Sequence, residues 1–352
     1  MSVWRGEGPL LVTGASGYLA GELVRQLLQA GHTVHGTVRD PGDPEKARPL
    51  KELAANHPGN LELFPADLLE PGSFEEAMKG CEVVFHTASP FLLRFDDARK
   101  DLIEPAVQGT RNVLRAVNRI ASVRRVVLTS STAAIYGDNA DIRKARGPLF
   151  TEADWNATSD LGHKPYSYSK TLAEREAWKI AGEQSRWDLV VINPSLVLGP
   201  AIRPRTTSGS FVLMKRLADG TLRAGVADYP FGVVDVREVG EAHLRAGMDP
   251  RIPSARYILS GHNSGLPELA AILRMNFGDA YPFPLRILPK WLVWLAGPLV
   301  DRSVTRRLIH RNVGIPAGFD NRRSREQLGI RYRALEETVV DMFRQMTKAG
   351  IV

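Results

Sequence analysis

The stretch Thr13-Gly14-Ala15-Ser16-Gly17-Tyr18-Leu19-Ala20-Gly21 decides the fold of this 352-residue chain. It follows an apolar run over residues 9–13 and precedes a segment, residues 22–29, with apolar side chains at helical spacing. A glycine-rich turn between a strand and a helix is typical of the first unit of a nucleotide-binding α/β sheet.

The small residues of this turn each have a physical role. Gly14 permits a tight turn, Gly17 lets backbone N–H groups approach a pyrophosphate, and Ala20 lets the helix pack closely on the sheet. The helix N-terminus would add partial positive charge beside the phosphates. We therefore expect these loop residues to contact a dinucleotide cofactor: Gly14, Ser16, Gly17, Tyr18 and Leu19.

Strand and helix patterns continue to alternate along the chain. Helical stretches, notably residues 103–117 and 169–184, lie between five further strand patterns: residues 33–38, 61–64, 82–86, 125–129 and 188–193. Long crossovers between strands indicate a parallel sheet that is covered on both faces. We therefore predict an α/β fold with a Rossmann-type, doubly wound parallel sheet.

Beyond Pro200 the pattern becomes irregular and rich in helices, with residues 231–236 as a strand that returns to the first lobe. We therefore expect a dinucleotide-binding Rossmann domain over residues 8–199 and about 229–249. A smaller, discontinuous C-terminal substrate lobe would comprise about 200–228 and 250–352.

The end of the second strand, Thr37-Val38-Arg39-Asp40, bears on the choice of nicotinamide cofactor. An acidic residue at this point usually holds the ribose 2′-hydroxyl of NAD, whereas the guanidinium of Arg39 would pair with a 2′-phosphate. Lys46 could add a second positive charge. We expect NADP, and Asp40 keeps NAD as the alternative. Further cofactor contacts are expected after the third and fourth strands: Asp67, Leu68, Thr87, Ala88 and Ser89.

Tyr166 and Lys170 are candidate catalytic and cofactor-binding residues because they are one helical turn apart and share a face. A nearby lysine cation favours the phenolate and would lower the pKa of Tyr166 toward neutrality. The tyrosine could then act as a general acid while Lys170 also holds the nicotinamide ribose. Tyr168, two residues along, would face away and pack.

Ser131 ends the fifth strand, where its hydroxyl could donate to a substrate carbonyl and to the developing oxyanion. Ser130 and Thr132 are rival hydroxyls one residue away. Alternation along the strand places both on the opposite face, so we favour Ser131.

Several motifs together make the chain resemble an extended short-chain dehydrogenase/reductase of the NAD-dependent epimerase/dehydratase superfamily. It is most similar there to the dihydroflavonol reductase, cinnamoyl-CoA reductase and aldehyde reductase branch. The matching stretches, which cover roughly the first 260 residues, are Val12 to Ala20, Gly36 to Asp40, Phe85 to Pro90, Glu104 to Thr110, Ser169 to Glu174, Asn193 to Pro200 and Val233 to Val239.

This resemblance implies a catalytic triad of Ser131, Tyr166 and Lys170. It implies that Asn112 helps to order a water near Lys170, and that Arg39 and Lys46 contact the 2′-phosphate. It also implies contacts to the nicotinamide end of the cofactor from three further residues: Pro194, Val197 and Ser208.

Two departures from the family pattern bear on the substrate. The plant dihydroflavonol enzymes carry an asparagine five residues after the catalytic serine, where this chain has Tyr136. The plant cinnamoyl-CoA enzymes carry Trp-Tyr-Cys at the catalytic tyrosine, where this chain has Pro165-Tyr166-Ser167. We therefore predict an NADPH-dependent oxidoreductase that reduces a small-molecule aldehyde or ketone.

Other activities of the same fold stay open as alternatives. One is a nucleotide-sugar epimerase or dehydratase that holds NAD tightly, although Arg39 argues against it. Another is a hydroxysteroid-type dehydrogenase attached to a membrane surface. A non-catalytic nucleotide sensor is disfavoured because the triad is intact.

Charge and composition limit the partners that the protein is expected to bind. The net charge is +7, and residues 301–333 hold nine Arg against three Asp or Glu. Nucleic acid, a membrane surface or an anionic substrate could each bind this positive charge, but we favour a solvated helical face. We expect no nucleic acid, because no nucleic-acid-binding motif accompanies the charge. The apolar stretch 285–300 is too short and too interrupted to span a bilayer and predicts a buried or interfacial helix.

Cellular location and assembly are predicted from weaker signals. Residues 1–9 lack the apolar stretch of a signal peptide, and the single cysteine, Cys81, fits a reducing compartment, so we expect a cytoplasmic protein. The eight histidines show no zinc-like spacing, so no metal is expected. A homodimer stays open because dimers are common among such relatives.

Overall fold

The computed structural model describes residues 8–89, 95–203, 208–301 and 303–352. Pro90, the last residue of one family motif, lies outside these ranges. The first strand is fully buried and ends at Val12, and the first helix begins at Tyr18, so the glycine-rich turn occupies the predicted place.

Twelve strands are present in the described part of the chain. They are β1 (Leu10–Val12), β2 (Thr33–Val38), β3 (Asn60–Pro65), β4 (Val83–His86), β5 (Arg125–Thr129), β6 (Asp188–Pro194), β7 (Leu196–Leu198), β8 (Val226–Ala227), β9 (Pro230–Asp235), β10 (Arg256–Leu259), β11 (His262–Gly265) and β12 (Ile287–Leu288). Seven of them form one parallel sheet in the order β10-β6-β5-β4-β1-β2-β3. The strand order reverses between β1 and β4, which is where a doubly wound sheet opens a ligand crevice.

Twelve α-helices accompany these strands in the described ranges. They are α1 (Tyr18–Gln29), α2 (Pro44–Ala55), α3 (Glu75–Met78), α4 (Glu104–Arg119), α5 (Pro165–Gly182), α6 (Gly209–Ala218), α7 (Val236–Met248), α8 (Leu266–Phe277), α9 (Lys290–Val300), α10 (Arg306–Asn312), α11 (Arg322–Glu326) and α12 (Leu335–Lys348). Apolar residues of α1 and α7 pack on one face of the large sheet, and those of α3, α4 and α5 pack on the other. The predicted Rossmann-type doubly wound fold is confirmed.

A third apolar cluster joins α6, α8 and α12 in the C-terminal part of the chain. The strand expected near residues 231–236 is β9, but it pairs with β7 and β11 in a separate three-stranded sheet. Its following helix, α7, belongs to the core of the large sheet. Conversely, β10 joins the large sheet although it lies within the range 250–352 that the sequence assigned to the substrate lobe. The division into two lobes stays a proposal.

Candidate active site

Gly14 occupies a position that only glycine accommodates without strain. Its φ is +66°, and a Cβ atom there would lie 3.0 Å from the Cβ of Ala88 in the loop after β4. The Gly14 N–H donates to Thr37 Oγ1 at 3.1 Å, so the turn is also tied to β2. The loop therefore has the close backbone approach that a dinucleotide site requires.

Gly17 caps the N-terminus of α1 and is exposed, and no side chain is bonded to this cap. Ser16 and Leu19 are half-buried beside it. The Tyr18 hydroxyl donates to the Gly199 carbonyl at 2.6 Å, and its ring packs edge-on against Phe211. The side chain of Tyr18 therefore links the start of α1 to the residue after β7 and to α6. The expected cofactor contact of Tyr18 would come from its backbone.

A hydrogen-bonded cluster joins the ends of β1 and β4. Thr13 Oγ1 accepts the N–H groups of Thr87 and Ala88 at 3.1 and 3.0 Å and lies 3.0 Å from His86 Nδ1. The Thr87 hydroxyl donates to the Thr13 carbonyl. Burial lowers the pKa of His86 to about 3, so this histidine is a neutral, satisfied residue of the interior. The cluster fixes both walls of the crevice.

The expected 2′-phosphate contacts lie at the outer edge of the crevice. Arg39 is exposed immediately after β2, and in the described part of the chain no carboxylate lies within ion-pair distance of it. Asp40 accepts the Gly42 N–H, while the Lys46 ammonium lies 2.9 Å from the carboxylate of Asp43. Arg39 therefore offers an uncommitted guanidinium, whereas Lys46 would have to leave Asp43 to meet a phosphate.

Asn112 has partners other than Lys170. Its amide donates to the Leu68 carbonyl at 2.8 Å, and its oxygen accepts from Gln108 at 2.9 Å. Asp67 accepts the N–H of Leu69. The buried Asn112 side chain thus ties α4 to the loop after β3, and the water that it was expected to order near Lys170 stays a prediction.

Tyr166 and Lys170 lie on α5, with the Lys170 ammonium 6.0 Å from the centre of the Tyr166 ring. Lys170 Nζ donates to Ser89 Oγ at 3.0 Å. Burial lowers the pKa of Lys170 to about 8 and raises the pKa of Tyr166 to about 12. The expected lowering of the Tyr166 pKa is therefore wrong, because burial removes solvation from the phenolate and so disfavours it.

The three hydroxyls at the end of β5 are separated by their surroundings. Ser130 Oγ donates to the buried carboxylate of Glu174 at 2.5 Å, and Thr132 is buried. Ser131 is half-buried, its Oγ accepts the Ala133 N–H at 3.1 Å, and it lies 3.4 Å from the Pro194 carbonyl. Ser130 is therefore engaged behind the site, which leaves Ser131 as the hydroxyl that is partly accessible.

Glu174 is a residue of the site that the sequence reasoning missed. It lies one turn beyond Lys170 on the same face of α5 and is 1% exposed. Its carboxylate accepts hydrogen bonds from four side chains: Ser130, Trp178, Asn193 and Arg256. The signal that could have found it is the helical spacing Tyr166, Lys170, Glu174.

Arg256 completes this network from β10. Its Nε donates to Glu174 at 2.6 Å, and its other nitrogens donate to the carbonyls of Ala134, Glu152 and Asp154. The Asn193 amide also donates to the Ser131 carbonyl at 3.1 Å. The Glu174 network thus holds the backbone at Ser131 and the segment before Tyr166 against α5.

A small cavity of about 20 Å³ lies between this network and Lys170, and Ser89, Ser130 and Glu174 are among its lining residues. A space of this size with polar walls is large enough for one water molecule. Electrostatic attraction from Glu174 raises the pKa of Lys170 and so opposes part of the lowering that burial causes.

The remaining expected cofactor contacts lie at the far side of the crevice. Pro194 ends β6, Val197 lies in β7, and Ser208 caps the N-terminus of α6. In the described ranges no group of three or more His, Cys, Asp or Glu side chains is arranged to hold a metal ion.

Comparison with known proteins identifies the family. Residues 10–250 match the model of the NAD-dependent epimerase/dehydratase family. The chain belongs to this family. The predicted resemblance is thereby confirmed, and the matched region includes the glycine-rich turn, β5 and α5.

Named relatives in this family are reductases. The chain is 41% identical to cinnamoyl-CoA reductase CAD2 of Medicago truncatula over 77% of its own length and 80% of that protein. Two solved structures align with 97% of the chain at 28% identity, and each alignment includes 99% of the solved chain. They are Gre2 of Candida albicans in complex with NADPH, with a TM-score of 0.77, and the yeast methylglyoxal/isovaleraldehyde reductase Gre2 with NADPH, with a TM-score of 0.75.

None of the described helices is both long enough and apolar enough to cross a membrane. The predicted cytoplasmic location and the homodimer stay predictions.

Proposed function

We propose that this family member reduces an aldehyde or ketone with NADPH, with Tyr166 as the proton donor. The observation that carries the proposal is the shared face of α5. Tyr166 and Lys170 lie there beside the end of β5, where Ser131 alone of three hydroxyls is neither buried nor bonded to Glu174. This is the set of groups that carbonyl reduction needs: a proton donor, a cation and an oxyanion donor.

The chain is an NADP-dependent oxidoreductase. Its relatives carry the name reductase, and the two similar solved structures contain NADPH. The tight turn at Gly14, whose φ is positive, precedes the N-terminus of α1 and fits a pyrophosphate. The exposed guanidinium of Arg39, which pairs with no carboxylate in the described ranges, fits a 2′-phosphate.

Each catalytic residue then has one task. When bound, the nicotinamide supplies the hydride that the carbonyl carbon accepts. Ser131 Oγ donates a hydrogen bond to the carbonyl oxygen and stabilises the negative charge that develops there. Tyr166 transfers its phenolic proton to the same oxygen, which yields the alcohol. Lys170 stabilises the resulting phenolate, because its ammonium lies 6.0 Å from the centre of the Tyr166 ring.

The substrate class proposed here is broad. Tyr136, at the position of the plant dihydroflavonol asparagine, packs at ring-centre distances of 5.0 and 5.1 Å against Phe150 and Phe319. Phe150 and Phe319 are buried, so Tyr136 packs on an apolar core cluster and supplies no amide that could bind a flavanonol hydroxyl. The proposal therefore names only an aldehyde or ketone.

The test is a panel of aryl and alkyl aldehydes, ketones and flavanonols, assayed by loss of the reduced nicotinamide with NADPH and with NADH. We expect turnover with aldehydes or ketones and a preference for NADPH. If no carbonyl is turned over and the purified protein retains NAD, the reductase assignment fails and a nucleotide-sugar epimerase or dehydratase becomes the better account.

Arg39→Ser tests the cofactor assignment separately. Loss of a charged hydrogen bond to a phosphate costs about 1.5–3 kcal/mol, so kcat/KM for NADPH should fall about 10- to 100-fold while that for NADH changes little. Arg48→Ser is the matched control, because Arg48 is exposed on α2 and faces Glu52. An unchanged NADPH preference in Arg39→Ser would remove this residue from the 2′-phosphate site.

A further inference from the structure

Helix α9 presents its apolar side chains to solvent. The exposed fractions of Trp291, Trp294, Leu295 and Leu299 are 68%, 42%, 54% and 87%. These residues recur at intervals of three and four, so they form a single stripe along the helix. Isolated exposed apolar residues are ordinary, but a continuous stripe that includes two tryptophans marks an interaction surface.

The opposite side of α9 is seated on the protein. A Cβ atom at Gly297 would lie 3.1 Å from Val304 and 3.4 Å from Ile309, which is a residue of α10. The exposed stripe is therefore the outer face of a packed helix, because the contacts with α10 fix which side faces outward.

Two further exposed apolar residues precede the helix. Leu285 and Ile287 are 67% and 60% exposed, and β12 ends two residues before α9 begins. The docking face is defined by these six residues: Leu285, Ile287, Trp291, Trp294, Leu295 and Leu299.

Positive charge surrounds the docking face. Residues 285–312 contain six Lys or Arg, of which Arg307 and Arg311 pair with carboxylates elsewhere in the chain. The one acidic residue of this range, Asp301, accepts from Arg216 and Ser303. Arg286, Lys290 and Arg306 are exposed, and the Arg306 guanidinium lies 4.5 Å from the centre of the Trp294 ring. A cation stacked on an exposed tryptophan extends the apolar surface and leaves its charge at the edge.

We propose that the docking face binds the surface of an anionic lipid bilayer. Tryptophan and leucine suit the boundary between headgroups and acyl chains, and each nearby Lys or Arg is attracted to anionic headgroups by about 1 kcal/mol. A second copy of the chain fits less well, because a two-fold contact would set the cations around this face against the same cations of the other copy.

Helix α9 would lie in the plane of the interface. Its 11 residues span about 16 Å at 1.5 Å per residue, which is about half the thickness of the hydrocarbon core. The cations at its edge would then face the headgroups. This inference goes beyond the proposed reductase activity and does not depend on it.

The test is co-sedimentation of the full chain with vesicles of phosphatidylcholine alone and of phosphatidylcholine mixed with phosphatidylglycerol. We expect binding to the mixed vesicles, little binding to phosphatidylcholine alone, and weaker binding at high salt because exposed charges are screened. The double variant Trp291→Ser/Leu299→Ser should reduce the bound fraction at least tenfold, and Arg286→Gln/Arg306→Gln should remove the preference for phosphatidylglycerol.

Leu69→Ser is the matched control, because Leu69 is 53% exposed in the loop after β3 and lies outside the docking face. This variant should bind vesicles like the wild type. Sedimentation with neither vesicle would overturn the proposal. So would a wild-type dimer in light scattering that Trp291→Ser/Leu299→Ser converts to a monomer, because a second copy would then cover the face.

Discussion

The interior behind α5 and the outer face of α9 differ in opposite ways from the usual pattern of apolar residues inside a protein and charged residues on its surface. Around Glu174 the protein buries charged groups, and on α9 it exposes large apolar ones. The buried carboxylate and guanidinium satisfy each other and several neighbours by hydrogen bonds. The α9 stripe has no such compensation within the described chain. The cost of burying the charges around Glu174 is thus offset by hydrogen bonds within the protein. The exposed apolar stripe of α9 would need a binding partner to cover it.

The largest effect is expected from the loss of Tyr166, the proposed proton donor beside the Glu174 network. Tyr166→Phe removes the phenolic hydroxyl and keeps the ring, so kcat should fall by about 10²- to 10⁴-fold, while cofactor binding stays close to that of the wild type. Tyr168→Phe, half-buried two residues along the same helix, is the control and should lose little activity. Equal losses in the two variants would show that packing, not proton transfer, explains the effect.

Removal of the buried carboxylate should destabilise the fold. Glu174→Ala leaves the Arg256 guanidinium buried without its partner, so the free energy of unfolding should fall by about 3–5 kcal/mol. Glu176→Ala is a matched change on the same helix: Glu176 pairs with the partly exposed Arg111 and should cost about 0–1 kcal/mol. Denaturant unfolding of both variants measures the difference. Similar losses in the free energy of unfolding would mean that the buried Glu174 network stabilises the fold no more than the surface pair does.

The pH dependence of kcat should report the charge of Lys170. Since burial lowers the pKa of this ammonium to about 8, activity should decline as pH rises through that region and the lysine loses its proton. Glu174 raises the pKa of Lys170, so Glu174→Gln should move this alkaline decline to lower pH, by about one pH unit.

Glu176→Gln should leave the alkaline decline in place. The position of the decline does not depend on how much of the variant is folded. If Glu174→Gln only lowers kcat at every pH, Glu174 supports the structure and does not set the charge of Lys170.

The smallest effect is expected on the exposed face of α9. Leu299→Ala should change the free energy of unfolding by less than about 0.5 kcal/mol, because this side chain is 87% exposed. Leu11→Ala makes the same change inside the large sheet and should cost about 2–5 kcal/mol. A clear loss of stability in Leu299→Ala would mean that the stripe is covered in the protein as purified.

The sequence predicted those features that local rules determine. The turn at Gly14 and the pair Tyr166–Lys170 follow from spacing along one turn or one helix, and the parallel sheet follows from alternating strand and helix patterns. The pairing of Glu174 with Arg256 was missed because 82 residues separate the two. The pKa of Tyr166 was predicted in the wrong direction because burial depends on the assembled fold.

The partners of Asn112 do not follow from its spacing along α4. The family resemblance implied that Asn112 helps to order a water near Lys170, and this stays a prediction; its side chain bonds to Leu68 and Gln108. The residues that line the cavity next to Lys170 include Ser130 and Glu174. Which polar groups surround the lysine therefore depends on the assembled fold.

The position of Arg256 in the sequence has a consequence for how the protein matures on the ribosome. Ser131, Tyr166, Lys170 and Glu174 are synthesised before residue 175. Arg256, the cation that pairs with Glu174, arrives only with β10, beyond the matched family region. A nascent chain that ends before residue 256 would hold a buried carboxylate without its counter-ion. Completion of the active site is therefore a late event of synthesis, and truncated chains should present an unfinished sheet edge to chaperones and proteases.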